Sequence, residues 1–254
     1  MADWNPWHGC VKYSPGCQNC YVYRRDARYE LDASQVRKTA AFDLPVRRQR
    51  NGAYRLQGPE EVCTCFTSDF LLDQADAWRP EAWRMIRERS DLRFFFITKR
   101  IVRFAQVQPD DWGTGYENVT IGVTCENQRA ADERLPVFLS LPIRHRLIVC
   151  EPMLEAIDLR PYLTPGIERV AAGGESGNEA RLMRYDWALG LRRQCEAAGM
   201  PFWFRQTGAR FEKDGRVYAI PRWQQFSQAG KSALSWPGRR AGAQAEATVP
   251  GTEG

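Results

Sequence analysis

Residues 92–100, LRFFFITKR, decide how the chain reads. An unbroken aromatic and β-branched run indicates a strand buried on both faces, and its abrupt polar end, Thr98-Lys99-Arg100, marks where the chain leaves the core. The same plan recurs in VCTCFTSDF (62–70), NVTIGVTCENQ (118–128), RLIVCEP (146–152), ERVAAGGESG (168–177) and PFWFRQTG (201–208). Helical stretches lie between them. AWRPEAWRMIRER (77–89) sets Trp78, Trp83 and Ile86 at helical intervals; QRAADERLPVFLSL (128–141) follows the third strand; RYDWALGLRRQCEAAGM (184–200) has Asp186 to cap it and Gly199 to end it. Six strands alternating with helices predict an α/β fold with a parallel sheet covered on both sides, a partial (β/α)6 TIM-like barrel. Every strand ends in polar residues: Thr67 to Asp69, Thr98 to Arg100, Thr124 with Glu126 and Asn127, Cys150 and Glu151, Gly173 to Ser176, and Arg205 with Gln206. Barrels of this kind carry their sites at the carboxyl ends of the strands, so six polar tips point to a ligand site there.

The 254 residues, 43% hydrophobic and 26% charged, suffice for one sizeable core. No apolar run approaches the ~20 residues that cross a bilayer. The start, MADWNPWHGC, has neither the basic nor the apolar region of a signal peptide. The expectation is a cytoplasmic protein with no membrane partner, whose eight cysteines stay reduced. Residues 1–226 read as a single domain, with a basic insertion at 22–61. From Ser227 the chain is rich in Ala, Gly, Ser and Gln, and 227–254 reads as a disordered tail. The net charge is +5, and the segment from Arg24 to Arg55 carries nine Lys/Arg against four acids. That excess fits a phosphate backbone of DNA or RNA, and equally a solvated basic surface.

Ahead of the strands stands NPWHGCVKYSPGCQNCY (5–21), with Cys10, Cys17 and Cys20. Three chemistries suit it. His8 with the three cysteines makes a Cys3His zinc set, although His8 is only two residues from Cys10. Cys17-x-x-Cys20 matches a redox pair, without the strand-then-helix setting such a pair needs. Three thiolates without a fourth also suit an iron–sulfur cluster with one open iron.

NPWHGC and GCQNCY resemble the cluster loop of the spore photoproduct lyase branch of the radical S-adenosylmethionine (SAM) enzymes. TSDF is similar to that branch's Thr-x-Thr-Asp strand end, ITKR to its Thr-Lys, and IGVTCEN to its next strand. The longer string, through CEPML, GGESG and PFWFRQTG, resembles a phage-associated three-cysteine-motif family of unassigned function, from about residue 3 to 210. Three features depart: the usual radical-SAM loop has three residues between the first two cysteines where this one has six, and, against the closer family, Arg205 and Thr207 stand in the last motif and no proline follows TKR.

The resemblance implies a 4Fe–4S cluster on Cys10, Cys17 and Cys20, with SAM on the fourth iron and a 5′-deoxyadenosyl radical as the product of its reductive cleavage. It implies cofactor-binding roles for Ser68 and Asp69 near the methionine end, for Lys99 at the SAM carboxylate, and for Thr124 and Glu126 near the ribose. In GGESG, Gly174 would allow close backbone approach and Glu175 would point into the mouth. Glu151 and Glu175 could hold adenosine or substrate, or pair with Arg205 and Arg181. Cys125, Glu151, Glu175 and Arg205 are the catalytic candidates. Cys63 and Cys65, read as sharing a strand face, with Cys125 and Cys150, are also explained as small buried hydrophobes. Trp4, Trp7, Trp78 and Trp83 read as core or lid. The substrate implied is nucleic acid or a nucleotide. Two rivals stand beside this reading: a zinc-stabilised nucleic-acid-binding protein without catalysis, and a cluster protein active only with a partner protein from a phage-related or defence module.

Overall fold

Seven parallel strands build the central sheet of the computed structural model, which describes residues 1–239. They are β1 (Ala2–Trp4), β2 (Glu61–Thr64), β3 (Arg93–Thr98), β4 (Val119–Thr124), β5 (His145–Cys150), β6 (Arg169–Gly173) and β7 (Phe202–Gln206). They lie side by side in chain order and curl into a half-barrel, the partial TIM-like barrel expected. The extra strand β1 escapes the sequence reading because three residues interrupted by Asp3 make no apolar run. It pairs in register with β2 through Asp3 and Cys63.

Six α-helices occur among the described residues: α1 (Tyr21–Ala27), α2 (Arg79–Glu88), α3 (Phe104–Val107), α4 (Gln128–Ser140), α5 (Tyr185–Ala197) and α6 (Gln225–Lys231). The β5–β6 crossover carries only a single 3-10 turn, Arg160–Tyr162. Asn127 caps α4 by accepting from the Ala130 N–H at 2.9 Å. A second sheet of three short strands joins Met183–Arg184 to the hairpin Arg210–Lys213 and Arg216–Ala219, which turns at Asp214-Gly215. The Asp-Gly pair is a hairpin signal.

The helices cover one face. Phe94 and Phe96 of β3, Ile121 and Val123 of β4, and Ile148 of β5 are fully buried there, with Trp83 of α2 edge-on to Phe96 at 6.2 Å. Their alternate neighbours Phe95, Ile97 and Leu147 are only half-buried, and Trp203 is exposed. The expected cover on both sides is thus partial on the second face, where Val149 and Ala171 are buried but Ile97 and Leu147 only half-buried. Seven strands do not close the barrel.

Tryptophans supply much of the core. Phe70 stacks on Trp7 at 5.3 Å and on Phe96 at 4.7 Å, and meets Trp83 edge-on at 4.8 Å. Trp4, Trp7 and Trp83 each donate their indole N–H to a backbone carbonyl, of Phe42, Asp69 and Val107. Trp78 is half-buried against them.

Within the described residues, the expected tail is folded. Residues 227–231 belong to α6, Ala229 and Leu234 are buried, and Phe202 and Trp236 exchange backbone hydrogen bonds of 2.8 and 2.7 Å along the edge of β7. A few apolar side chains in an otherwise polar stretch suffice because the strand edge supplies their partners. Residues 240–254 lie outside the described residues. No helix among the described residues is long and apolar enough to cross a membrane. Replacing Leu234 by Ala is expected to cost about 2–5 kcal/mol in urea unfolding; a disordered segment would leave the midpoint unmoved.

Candidate functional site at the barrel mouth

The cysteine loop lies across the carboxyl ends of the strands. Gly9 donates its N–H to the Thr67 carbonyl at 3.2 Å, and the Ser68 hydroxyl donates to the Gly9 carbonyl. Gly9 has φ +95°, and a Cβ there would meet the Gln35 carbonyl oxygen at 2.6 Å, so HGC needs its glycine. Cys10 N–H is held by the Ala33 carbonyl at 2.8 Å, and Tyr23 of α1 donates to the Cys10 carbonyl. Pro15–Cys17 form a 3-10 turn whose Gly16 rests on the Glu126 and Lys99 side chains.

All eight cysteines are free thiols, and Cys10, Cys17 and Cys20 alone among them are half-exposed. Burial, with Asp69 adding to it, pushes the Cys10 thiol up to about 12, against the opposing pull of Arg100. Cys17 and Cys20 also act on that thiol, so the three share one electrostatic neighbourhood. Arg100 reaches the Cys10 Sγ at 3.9 Å and the Val11 carbonyl at 2.6 Å, and its guanidinium lies over the Tyr13 ring.

The residues fit an iron–sulfur cluster better than a single metal ion. Among the described residues no three His, Cys, Asp or Glu side chains come together as ligands of one ion. His8 is not available either. Its Nε2 lies 2.6 Å from buried Asp26, which as a carboxylate accepts that N–H, and its Nδ1 then accepts from Arg25 at 3.4 Å. The Cys3His set thus lacks its fourth ligand. A cluster instead takes each thiolate on a separate iron, which asks only that three thiols share a neighbourhood. Two buried hydroxyls at the strand ends, Thr67 Oγ1 and Thr124 Oγ1, have no partner among the described residues, which is unusual unless something else uses them.

The acids at the strand tips are mostly bound by the protein itself. Asp69 is buried and accepts from Leu71 N–H (2.9 Å), Thr98 Oγ1 (2.8 Å), Lys99 N–H (3.2 Å) and Arg100 (3.1 Å). Glu126 is buried against Arg134 at 2.7 Å, which holds its carboxyl below the usual range although burial pushes it up. Glu175 pairs with Arg181, accepts from Asn19 at 3.0 Å, and is likewise held low against burial. Arg181 also reaches the Pro15 carbonyl at 2.9 Å, so this pair clasps the cysteine loop. Glu151 is bridged by Arg205 and Gln206. For Glu151 and Glu175 the ion pairs weighed in the sequence are the arrangement found.

Gly174 is in close contact with protein rather than with an open site: a Cβ there would meet the Thr207 carbonyl oxygen at 2.5 Å. Cys125 and Cys150 are fully buried, and burial raises both thiols. Cys65 does not share a strand face with Cys63: β2 ends at Thr64, and Cys65 turns away at φ +58°. Cys195, inside α5, is buried too. Lys99 is half-buried and has no carboxylate within ion-pair distance among the described residues.

Sequence reasoning missed Asn19, Arg100 and Arg134 as organisers of the site; Arg181 it offered as an ion-pair partner of Glu175. Arg100 stood within the quoted ITKR and Asn19 within CQNC, but Arg134 lies in a helix with no local sign that it faces Glu126. Arg134→Met, which leaves Glu126 buried and unpaired, is expected to destabilise the protein by about 3–5 kcal/mol in urea unfolding. The double replacement Glu126→Leu, Arg134→Met should recover most of that loss.

A solved structure of spore photoproduct lyase complexed with dinucleoside spore photoproduct is similar at 12% identity, over 90% of this chain and 70% of that one, with a TM-score of 0.45. No curated protein matches the chain. Residues 1–245 match the DUF5131 family, described as a protein of unknown function, and the chain belongs to that family.

Proposed function

We propose that the protein is a radical SAM enzyme acting on nucleic acid or a nucleotide. One observation carries the reading: three free, half-exposed thiols share one electrostatic neighbourhood on a loop across the carboxyl ends of a parallel half-barrel. Cys10, Cys17 and Cys20 would hold three irons of a 4Fe–4S cluster. When bound, the cluster and SAM supply one-electron cleavage of the sulfonium and a 5′-deoxyadenosyl radical that takes hydrogen from the substrate.

The chain's own groups have distinct parts in this reading. Arg100 offers a cation to the Cys10 sulfur, which favours the thiolate a metal needs. Lys99, half-buried and without a carboxylate partner among the described residues, suits a ligand carboxylate. The unpartnered Thr124 hydroxyl suits a polar ligand group. Ser68, Asp69 and Glu126 already bond to the protein, so they orient the loop and its neighbours rather than grip the cofactor. The basic segment from Arg24 to Arg55 would attract the phosphates of DNA or RNA. Its Arg28, Arg37, Arg50 and Arg55 are exposed.

Anaerobic reconstitution with iron and sulfide tests the proposal. The expected result is a brown protein with about four irons per chain that releases 5′-deoxyadenosine from SAM when reduced. Cys10→Ala, Cys17→Ala and Cys20→Ala should each abolish both, while His8→Gln keeps the iron. A colourless protein that retains one zinc and leaves SAM intact would overturn the reading.

A further inference from the structure

Bulky apolar side chains are exposed between the end of β7 and the first turn of α6. Val217 (57%), Tyr218 (44%), Trp223 (78%) and Phe226 (43%) are all exposed. An exposed tryptophan on a loosely held loop would mean little. Here the segment is fastened to the end of β7: Arg222 donates to Gln206 Oε1 at 2.6 Å, and Thr207 N–H is held by the Gln225 carbonyl at 3.2 Å. Trp223 is therefore displayed in a fixed position at the rim of the barrel mouth. Two exposed rings three residues apart, Trp223 and Phe226, held in water by the fold, mark an interaction site.

Its surroundings identify the partner by chemistry. Phe226 lies near two guanidiniums, Arg205 at 5.3 Å and Arg222 at 5.0 Å from its ring. From Arg205 to Lys231 the chain has six Lys/Arg (Arg205, Arg210, Lys213, Arg216, Arg222 and Lys231) against Glu212 and Asp214. On its inner side Arg205 is paired with Glu151, the residue that follows β5, so the segment abuts the barrel mouth. Aromatic faces interleaved with cations are what an unpaired nucleic-acid strand needs: rings for its bases and positive charge for its phosphates. A duplex offers the phosphates but keeps its base faces stacked inside. A protein partner would make use of the rings and gain little from the arginines.

We propose that the rim formed by Arg205, Arg222, Trp223 and Phe226 binds single-stranded nucleic acid, stacking an unpaired base on Trp223 and Phe226 beside the barrel mouth. This deepens the proposed function, from which it takes only the substrate class. The Arg24–Arg55 segment supplies charge; the 205–226 rim supplies faces for bases.

The test is fluorescence anisotropy of the full chain with a fluorescein-labelled oligothymidylate of about 12 nucleotides, within the span of one small domain. The wild type should bind it, with affinity falling as salt rises. Trp223→Ala with Phe226→Ala should weaken binding by about tenfold or more, with an unchanged thermal midpoint. Trp223→Tyr, which keeps a ring, should retain most of it. A duplex of the same length should compete poorly. The proposal is overturned if the wild type does not bind, if the double replacement binds as the wild type does, or if the duplex binds equally well. It is also overturned if the double replacement abolishes a concentration-dependent dimer and leaves oligonucleotide binding intact, since the rings would then serve self-association. The measurement needs no cluster. An inert reconstituted enzyme would leave this result standing, and a failure here would leave the cluster reading untouched.

Discussion

The buried ion pair of Asp69 with Arg100 is the contact on which the mouth of this barrel depends. Asp69 follows β2 and Arg100 follows β3, so the pair ties together the ends of adjacent strands. Arg100 then extends to the Val11 carbonyl and the Cys10 sulfur, carrying the tie up into the cysteine loop. A buried carboxylate is stable only when its oxygens are satisfied, and four donors satisfy this one. The loop therefore does not float above the strands. Its position is tied to the hydrogen bonds of the sheet beneath it.

Two further pairs repeat the device around the mouth. Glu126 with Arg134 supports the 3-10 turn from below, since Gly16 rests on Glu126. Glu175 with Arg181 clasps the same turn from the side through Asn19 and the Pro15 carbonyl. Acids that a sequence reader assigns to a ligand are here mostly used to hold the cysteine loop. Left without a partner among the described residues are the hydroxyls of Thr67 and Thr124, and Lys99 has no ion pair there, beside three free thiols.

The division explains what could be read in advance. The half-barrel was legible because β3 to β6 are continuous apolar runs with polar ends, a pattern local enough to see in nine residues. The cysteine loop was legible because three thiols in eleven positions are rare and lie together in the chain. The pairing of Asp69 with Arg100, 31 residues apart, was not, because nothing in the local pattern of either residue specifies the other. Two local signals were passed over. Asp214-Gly215 turns a hairpin that holds Met183–Arg184, and the sparse apolar residues after Ser227 pack on β7. Composition averaged over the carboxyl-terminal stretch concealed that Ala229, Leu234 and Trp236 fall where β7 needs them.

An unclosed barrel has two exposed borders, and each is an invitation to pair with another chain. The border at β7 is partly occupied by the protein itself, through the antiparallel bridge between Phe202 and Trp236. The border at β1 is handled differently, by brevity. Three residues, one of them an aspartate, offer a foreign strand too short a ladder to extend the sheet. The chain thus keeps an unclosed sheet while limiting the edge-to-edge aggregation that two open borders bring.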